Sequence, residues 1–423
     1  MSLEEETGGF LPEWPLPRTM AKALLNLADV RIRRGMNTVL DGCSLSVESG
    51  QTVVLTGANG AGKSTLLEAA AGLLPLENGQ IKHENIVLKD HEGRTKASPF
   101  ALGLTLQKNG VMGCEVLVEH LQSAMSMGGR TMDCSPFLKA FGLTHRANDL
   151  VAHLSQGQAR KVAVLAGLLP AFASKHPTLV VLDEPDAGLD DASIETLGGW
   201  LNELRSMGHG LLIATHDERI MAHATHHFEV GQGKKTTGTL PNDAEPEQRP
   251  SESVKRTSPG AFGVRMHFRT LMWLNTNAIA GLLTLGILLS FGDFMGNLNH
   301  MQRLGFVLAP VLAVALCGEP LVVATREERT GDWWRAVGGR APHASWLPLM
   351  IGLVFTLLSA TALGEALTTI TAIAGAFLCF SVWHIIGWMQ RSTQRLARPQ
   401  AVFIGLLTPV LILPFSLLVS LLS

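Results

Sequence analysis

Tyrosine is absent from all 423 residues, and no lysine follows Lys255. The loss of lysine coincides with a change of composition. Residues 1–260 carry 24 Lys and Arg against 30 Asp and Glu, whereas residues 261–423 carry 10 Arg and six acids among long runs of Leu, Ala, Ile, Val and Phe. A single, evenly soluble body is excluded. The first part reads as a mildly acidic water-soluble protein and the second as one that belongs in lipid. Cysteine is scarce too. Cys43, Cys114, Cys134, Cys317 and Cys379 are scattered without a Cys-x-x-Cys pair, which argues against a thiolate metal site and for reduced thiols. The opening MSLEEETGGFLPEW is acidic and lacks an apolar core, so it does not read as a secretory leader. The first large domain is therefore expected in the cytoplasm, and no nucleic-acid partner is expected.

Residues 1–20, with Pro12, Pro15 and Pro17, read as a loose tail. From residue 21 to residue 232, strand-like runs at 37–48, 51–56, 178–182 and 210–215 alternate with helical patterns at 63–74, 116–127 and 158–169. That alternation predicts an α/β domain with a largely parallel sheet. Residues 233–260 are rich in Pro, Ser, Glu and Lys; they bury too little apolar surface to offset the entropy of ordering and read as a flexible linker. Five apolar segments follow, at 270–291, 304–325, 345–362, 366–388 and 400–422. Each approaches the ~20 residues a helix needs to cross a bilayer, so an all-α polytopic membrane domain is expected over 261–423. With the first domain inside, Arg326, Arg329, Arg335, Arg340, Arg391, Arg395 and Arg398 fall on cytoplasmic loops and only Arg303 outside. This split obeys the positive-inside rule and puts the C-terminus outside. The expected location is the plasma (inner) membrane, with several passes.

Gly57-Ala58-Asn59-Gly60-Ala61-Gly62-Lys63-Ser64-Thr65 fits G-x-x-x-x-G-K-[ST] between an apolar strand and a helical pattern. Successive backbone N–H groups of such a loop wrap phosphate oxygens, and the helix N-terminus adds its dipole. Lys63 is expected to reach the outer phosphates of ATP and Ser64 to ligate Mg²⁺. The apolar run 178–182 ends in Asp183-Glu184. Asp183 is the expected second holder of Mg²⁺, and Glu184 the expected general base for the attacking water.

Between these motifs, Leu154-Ser155-Gln156-Gly157-Gln158 opens a helical pattern. Here the chain resembles the ABC ATPase family, whose signature is LSGGQ, with Gln156 in place of a glycine. The resemblance implies that Ser155, Gly157 and Gln158 bind the nucleotide held by another subunit, hence a homodimer or a dimer with a related half-transporter. Gln107 resembles the Q-loop glutamine, which touches Mg²⁺ and relays nucleotide state. Ala187-Gly188-Leu189-Asp190 resembles the D-loop, and His216 the switch histidine that contacts the γ-phosphate. With no tyrosine to stack on adenine, Arg34 or a neighbour takes that place by alignment.

The second half resembles type-2 ABC exporters in 326–341, REERTGDWWRAVGGRA, a first cytoplasmic loop that docks on the ATPase in that family. A looser resemblance, through 304–415, is to the haem exporter of bacterial cytochrome c maturation, whose permease has six spans where five are counted here. The stretch 262–273 reads as an interfacial helix on membrane lipid. Glu319, Pro320 and His384 stand out inside apolar segments, and His300 and Met301 have the donor chemistry for haem iron. The expected function is ATP-driven export by a half-transporter, with haem handling for cytochrome c maturation first and a lipid or drug-like amphiphile second. Further permease or haem-handling subunits fit that setting. A membrane-anchored ATPase acting on a partner protein is the alternative from another class.

Overall fold

The computed structural model describes residues 22–238, 247, 249–290, 300–392, 404 and 408. The tail at 1–20 and nearly all of the fifth apolar segment lie outside them. The chain runs through β1 (Ala23–Arg34), β2 (Asn37–Glu48), β3 (Thr52–Thr56), α1 (Lys63–Ala70), β4 (Asn78–His83), β5 (Ile86–Asp90) and β6 (Gly103–Thr105). Next come α2 (Leu117–Ser126), β7 (Arg130–Thr131), α3 (Ser135–Ala140), α4 (Gln156–Phe172), β8 (Leu179–Asp183) and α5 (Asp191–Ser206). Then follow β9 (Gly210–Ala214), α6 (Glu218–Met221), β10 (His226–Glu229) and β11 (Lys234–Thr237).

Two sheets share one core. Strands β2-β1-β4-β5 pair antiparallel in that order. The second sheet, β11-β10-β3-β9-β8-β6, is parallel except for β11. Its central strands read as unbroken apolar runs because helices cover both faces; Val53, Val54, Leu55, Val180, Val181, Leu182, Leu211, Leu212 and Ile213 are fully buried. Their register sets the site. Ala214 on β9 pairs with Leu55 on β3 and with Asp183 on β8. Three strands therefore finish on one line, and the residues that follow each leave the sheet together.

The stretch read as a flexible linker holds β11 and a further strand, β12 (Glu252–Ser253), paired antiparallel with β7. Arg249 lies 4.9 and 4.8 Å from the Phe137 and Phe172 rings and pairs with Glu203. In its described residues, this polar segment is laid against the ATPase by backbone pairing and one stacked arginine rather than by an apolar core of its own.

The C-terminal half is helical: α7 (Pro259–Thr270), α8 (Ile279–Leu289), α9 (His300–Leu316), α10 (Leu321–Glu327), α11 (Thr330–Gly338), α12 (Leu347–Ala362) and α13 (Thr369–Ser392). Among the described residues two helices are long and apolar enough to cross a membrane, Gln302–Arg326 and Thr369–Arg391. The pair α7–α8 passes the same test only together and is bent by 63°, where Leu271 turns left-handed (φ 47°) and ends α7. The third expected segment is an apolar helix of 16 residues. Leu282, Val354, Ile370, Phe377, Ile385 and Trp388 point outward from these helices, each more than half exposed, an apolar surface that water would not tolerate over this extent.

Helix α7 does not lie bare at an interface. Its Phe262 and Met266 are buried in the ATPase core, while Arg265 donates to Glu115 (2.6 Å) and Arg269 pairs with Glu119 (2.5 Å). The stronger join is α11. Trp333 donates through Nε1 to the Leu104 carbonyl (3.0 Å), Thr330 through Oγ1 to the Val111 carbonyl (3.0 Å), and Gly110 N–H to the Glu328 carbonyl (2.9 Å). Both Trp333 and Trp334 are buried. Removing the Trp333 ring should cost about 3–5 kcal/mol of packing, whereas Trp333→Phe loses mainly one hydrogen bond, about 1 kcal/mol. Hydrogen exchange over 104–111 and 326–338 should accelerate strongly in Trp333→Ala and weakly in Trp333→Phe; equal, unchanged protection in both would rule out this docking.

Candidate active site

The site grows from the three aligned strand ends. After β3 the backbone must turn sharply to enter α1, and glycine supplies the conformations. Gly57 has φ 133° and Gly62 φ 101°; a Cβ on Gly62 would stand 3.1 Å from both Val39 and Leu40. Ala61 N–H donates to the Ala58 carbonyl (3.1 Å), closing the loop. Lys63 opens α1 and folds back, donating through Nζ to the carbonyls of Gly57 (2.7 Å) and Ala58 (3.2 Å). The ammonium thus hangs over the loop whose N–H groups would take phosphate.

On the neighbouring strand end, Ser64 Oγ donates to Asp183 Oδ1 at 3.2 Å. Asp183 is buried, and burial pushes its carboxyl up to about 6, only partly offset by the Ser64 hydroxyl. A carboxylate held in such a place, with a hydroxyl oxygen beside it, fits a divalent cation that would repay its lost hydration. Glu184 follows with φ 46°, a left-handed conformation unusual for a side-chain-bearing residue, fixed by its N–H to the Ala214 carbonyl (2.8 Å). This turn directs Glu184 to a cavity of about 480 Å³ that Arg34, Asn59, Gly60, Gly62, Lys63, Ser64, Thr65 and Gln107 also line. Arg34 is anchored there by Nη2 to Glu68 (2.8 Å).

The other expected residues lie elsewhere. Ser155 caps α4, accepting from Gln158 N–H (3.3 Å), while Gln158 Oε1 accepts from Ser155 N–H (3.0 Å). This reciprocal capping box occupies the Gln158 side chain. Gly157 lines a second cleft, of about 580 Å³, which shares Gln107 and Glu184 with the first. A Cβ on Gly157 would meet the Gly188 carbonyl at 3.3 Å. Asp190 caps α5 and accepts from Lys161 (2.5 Å). His216 is exposed and does not line the phosphate-loop cavity.

Arg160 had no motif to announce it. From α4 its Nη1 donates to the Leu106 carbonyl (2.7 Å), and its Nη2 to the carbonyls of Asp183 (2.6 Å) and Glu184 (2.7 Å). One buried guanidinium thereby joins the helix after the signature, the approach to Gln107 and the two acids. The detectable signal was a charged residue on the buried face of an apolar helix. Thr215 adds a second tie, donating to Asp186 (2.6 Å) between the β9 exit and the D-loop region.

Comparison with known proteins fixes the family. The family model described as ABC transporter matches residues 40–187, enclosing the phosphate loop, Gln107, the signature, Asp183 and Glu184. The cytochrome c biogenesis ATP-binding export protein CcmA of Gluconobacter oxydans is 36% identical over 205 residues, 48% of this chain and 86% of that protein. The chain belongs to the ABC transporter family. Its N-terminal α/β domain is an ABC ATPase domain, the ATP-binding part of that family. The macrolide export ATP-binding/permease protein MacB of Hyphomonas neptunium is 27% identical over 268 residues, 60% of this chain, but the match spans only 41% of that protein. An aliphatic sulfonates import ATP-binding protein of Paraburkholderia xenovorans is 34% identical over 189 residues, 44% of this chain and 67% of its own length. A solved ATP-binding subunit of an ABC transporter is 28% identical with a TM-score of 0.41, covering 51% of this chain and 90% of its own.

The Asp183 carboxyl sets a pH dependence. Its pKa near 6 lies above the ordinary 3.8, so in the nucleotide-free domain this group adds stability as the pH falls from about 6 toward 4 and none of that gain is present at neutral pH. Cation binding has the opposite sign, because the proton competes for the same oxygen. Mg·ATP affinity should be full by about pH 7 and fall by up to about tenfold per unit below about pH 6, more steeply than ATP binding in chelator, where only the terminal phosphate, which itself protonates at about pH 6, changes. Equal profiles with and without Mg²⁺, read by calorimetry, would remove Asp183 from the metal site.

Proposed function

We propose that the protein is an ATP-driven half-transporter that works as a dimer, its ATPase domain facing the cytoplasm and its helical half crossing the inner membrane several times. The observation that carries the reading is the alignment of Leu55, Ala214 and Asp183, which gathers Lys63, Ser64, Asp183 and Glu184 at one end of the sheet. In the proposed division of roles, the loop 57–62 and Lys63 hold the phosphates, Thr65 and Arg34 line the nucleotide site, and Arg34 stacks on the base. Ser64, Asp183 and Gln107 would hold Mg²⁺, which when bound neutralises phosphate charge. Glu184 takes the proton of the attacking water. Separation of Ser155 and Gly157 from the Lys63 cavity supports a site completed by a second subunit, with His216 at the γ-phosphate only in the closed pair.

Transport coupling is supported by α11, where Trp333 hydrogen-bonds the backbone three residues before Gln107. Purified protein should hydrolyse Mg·ATP, and Glu184→Gln should lower turnover by about 10²–10⁴-fold with ATP affinity retained. Parent-like turnover in the variant would show that Glu184 is not the base.

For the cargo we favour haem or a haem-loaded partner in cytochrome c maturation. The cytochrome c biogenesis relative, matched over 86% of its length, supports this, as do His384 within apolar α13 and His343 just before α12: their rings lie 6.4 Å apart, with His384 Nε2 at the Ser345 carbonyl (2.9 Å). The side chains of His300 and Met301 lie outside the described residues. Deletion of the gene should abolish covalently haem-bearing c-type cytochromes and spare b-type ones, and Lys63→Ala should reproduce the loss. Normal c-type cytochromes in the deletion strain would favour export of an amphiphile, the reading that the match to a macrolide ATPase–permease supports.

A further inference from the structure

Glu68 stands on α1, five residues after Lys63, and its side chain is 8% exposed. It lines the cavity of about 480 Å³ together with Lys63, Ser64 and Glu184. An acid in this position works against the ligand the cavity is read to take. A carboxylate repels phosphate charge, and repels it more strongly away from bulk water. Its charge is felt nearby: burial chiefly pushes the Asp183 carboxyl up, and Glu184 and then Glu68 add to the push.

Two guanidinium groups offset that charge. Arg34, the last residue of β1, donates through Nη2 to Glu68 Oε2 (2.8 Å), and Arg329 donates through Nη1 to Oε1. Each carboxylate oxygen takes one arginine, but the two arginines differ in origin. Arg34 belongs to the ATPase domain and lines the cavity itself. Arg329 comes from the helical half and is not among the described residues that line the cavity. The Arg329 side chain is 25% exposed against 48% for Arg34, so its pair with Glu68 is the less screened by water.

The backbone is arranged to deliver this contact. Arg329 has φ 58°, a left-handed conformation, at the start of α11. On one side of it the Glu328 carbonyl accepts from Gly110 N–H, and on the other the Thr330 hydroxyl donates to the Val111 carbonyl. Asp332 steadies the guanidinium, accepting from Nε (2.7 Å). Strain of this kind persists where its surroundings over-determine it, and here it carries Arg329 across the join to α1. Undocking of the segment would take one of two cations from a buried acid that faces the nucleotide cavity.

We propose that Arg329 is a positioning residue for ATP binding: acting through Glu68, it lets the docked helical half neutralise an acid in the nucleotide cavity and so raises ATP affinity. The inference rests on the reading that ATP occupies this cavity, and it needs neither Gln107 nor the signature segment. By linkage the effect is reciprocal, so bound ATP tightens the docking of the segment that carries Arg329.

The test is a double-mutant cycle on the full-length protein, with ATP affinity read by calorimetry in chelator so that turnover does not intervene. Arg329→Ala should weaken ATP binding about tenfold, and Arg329→Lys, which keeps the charge, should restore most of the loss. In the Glu68→Gln background Arg329→Ala should have no effect, because the charge it offsets is gone. Parent-like affinity in Arg329→Ala overturns the inference. An equal loss in both backgrounds overturns it as well, since Arg329 would then act through docking alone. Hydrogen exchange reads the reciprocal effect: ATP should slow exchange over 326–338 in the parent and not in Glu68→Gln. Equal slowing in both would remove Glu68 from the route. A parent that binds no ATP would overturn the reading of the cavity together with this inference, a result distinct from all of these.

Discussion

Burial of β3, β9 and β8 in parallel register is the constraint on which the rest depends. These strands satisfy their backbone groups by pairing with one another and with β10 and β6 on either side, and their side chains by leaving water. A slip of one residue would move every side chain to the opposite face and separate Lys63 from Asp183. With Leu55, Ala214 and Asp183 on one line, Ser64 and Asp183 are brought to 3.2 Å although 119 positions separate them. The cost is local: Asp183 is buried with too little compensation, and Glu184 takes a left-handed backbone. Both strains fall where a charged ligand would relieve them.

Arg160 extends this order sideways. A guanidinium spread over the carbonyls of Leu106, Asp183 and Glu184 ties the end of β6, the end of β8 and the start of α4 together. The same β6 backbone receives the Trp333 indole through Leu104. The Arg160 and Trp333 hydrogen bonds, joined by the backbone from Leu104 to Leu106, therefore connect the acids of the ATPase to the helical half. Glu68 adds a parallel path, held on one side by Arg34 at the nucleotide cavity and on the other by Arg329.

Inside the apolar helices the same physics acts with fewer options. Glu319 is buried at the break between α9 and α10, and it is met by His267 Nε2 (2.5 Å), Ala344 N–H (2.8 Å) and Arg391 (3.6 Å). Leaving that carboxylate alone would be prohibitive, and its partners come from three different segments. The polar residue that stands out in the sequence thus reads first as a tie among helices.

Much of the site was legible in order along the chain. The phosphate loop, Asp183-Glu184 and the signature carry their chemistry in short spacings, because phosphate wrapping, helix capping and strand-end acids are local demands on the backbone. Composition likewise divided a soluble half from an apolar one, since transfer from water acts residue by residue. What the sequence could not supply was anything that depends on distant partners. Residues 247–257 look unfoldable alone, and only Phe137, Phe172, Glu203 and the edge of β7 show how such a polar strap is held. The apolar segment at 270–291 gave no sign that Leu271 would bend its entry, and Gln158, expected at the nucleotide, gave no sign of the capping box it closes with Ser155. Arg160 stood out only as a charge on an apolar helix, and its role was hidden because its partners are carbonyls 23 to 54 positions away. Local conformational preference and hydropathy are written in the sequence; which buried charge meets which carbonyl is decided only when the packed chain excludes water from both.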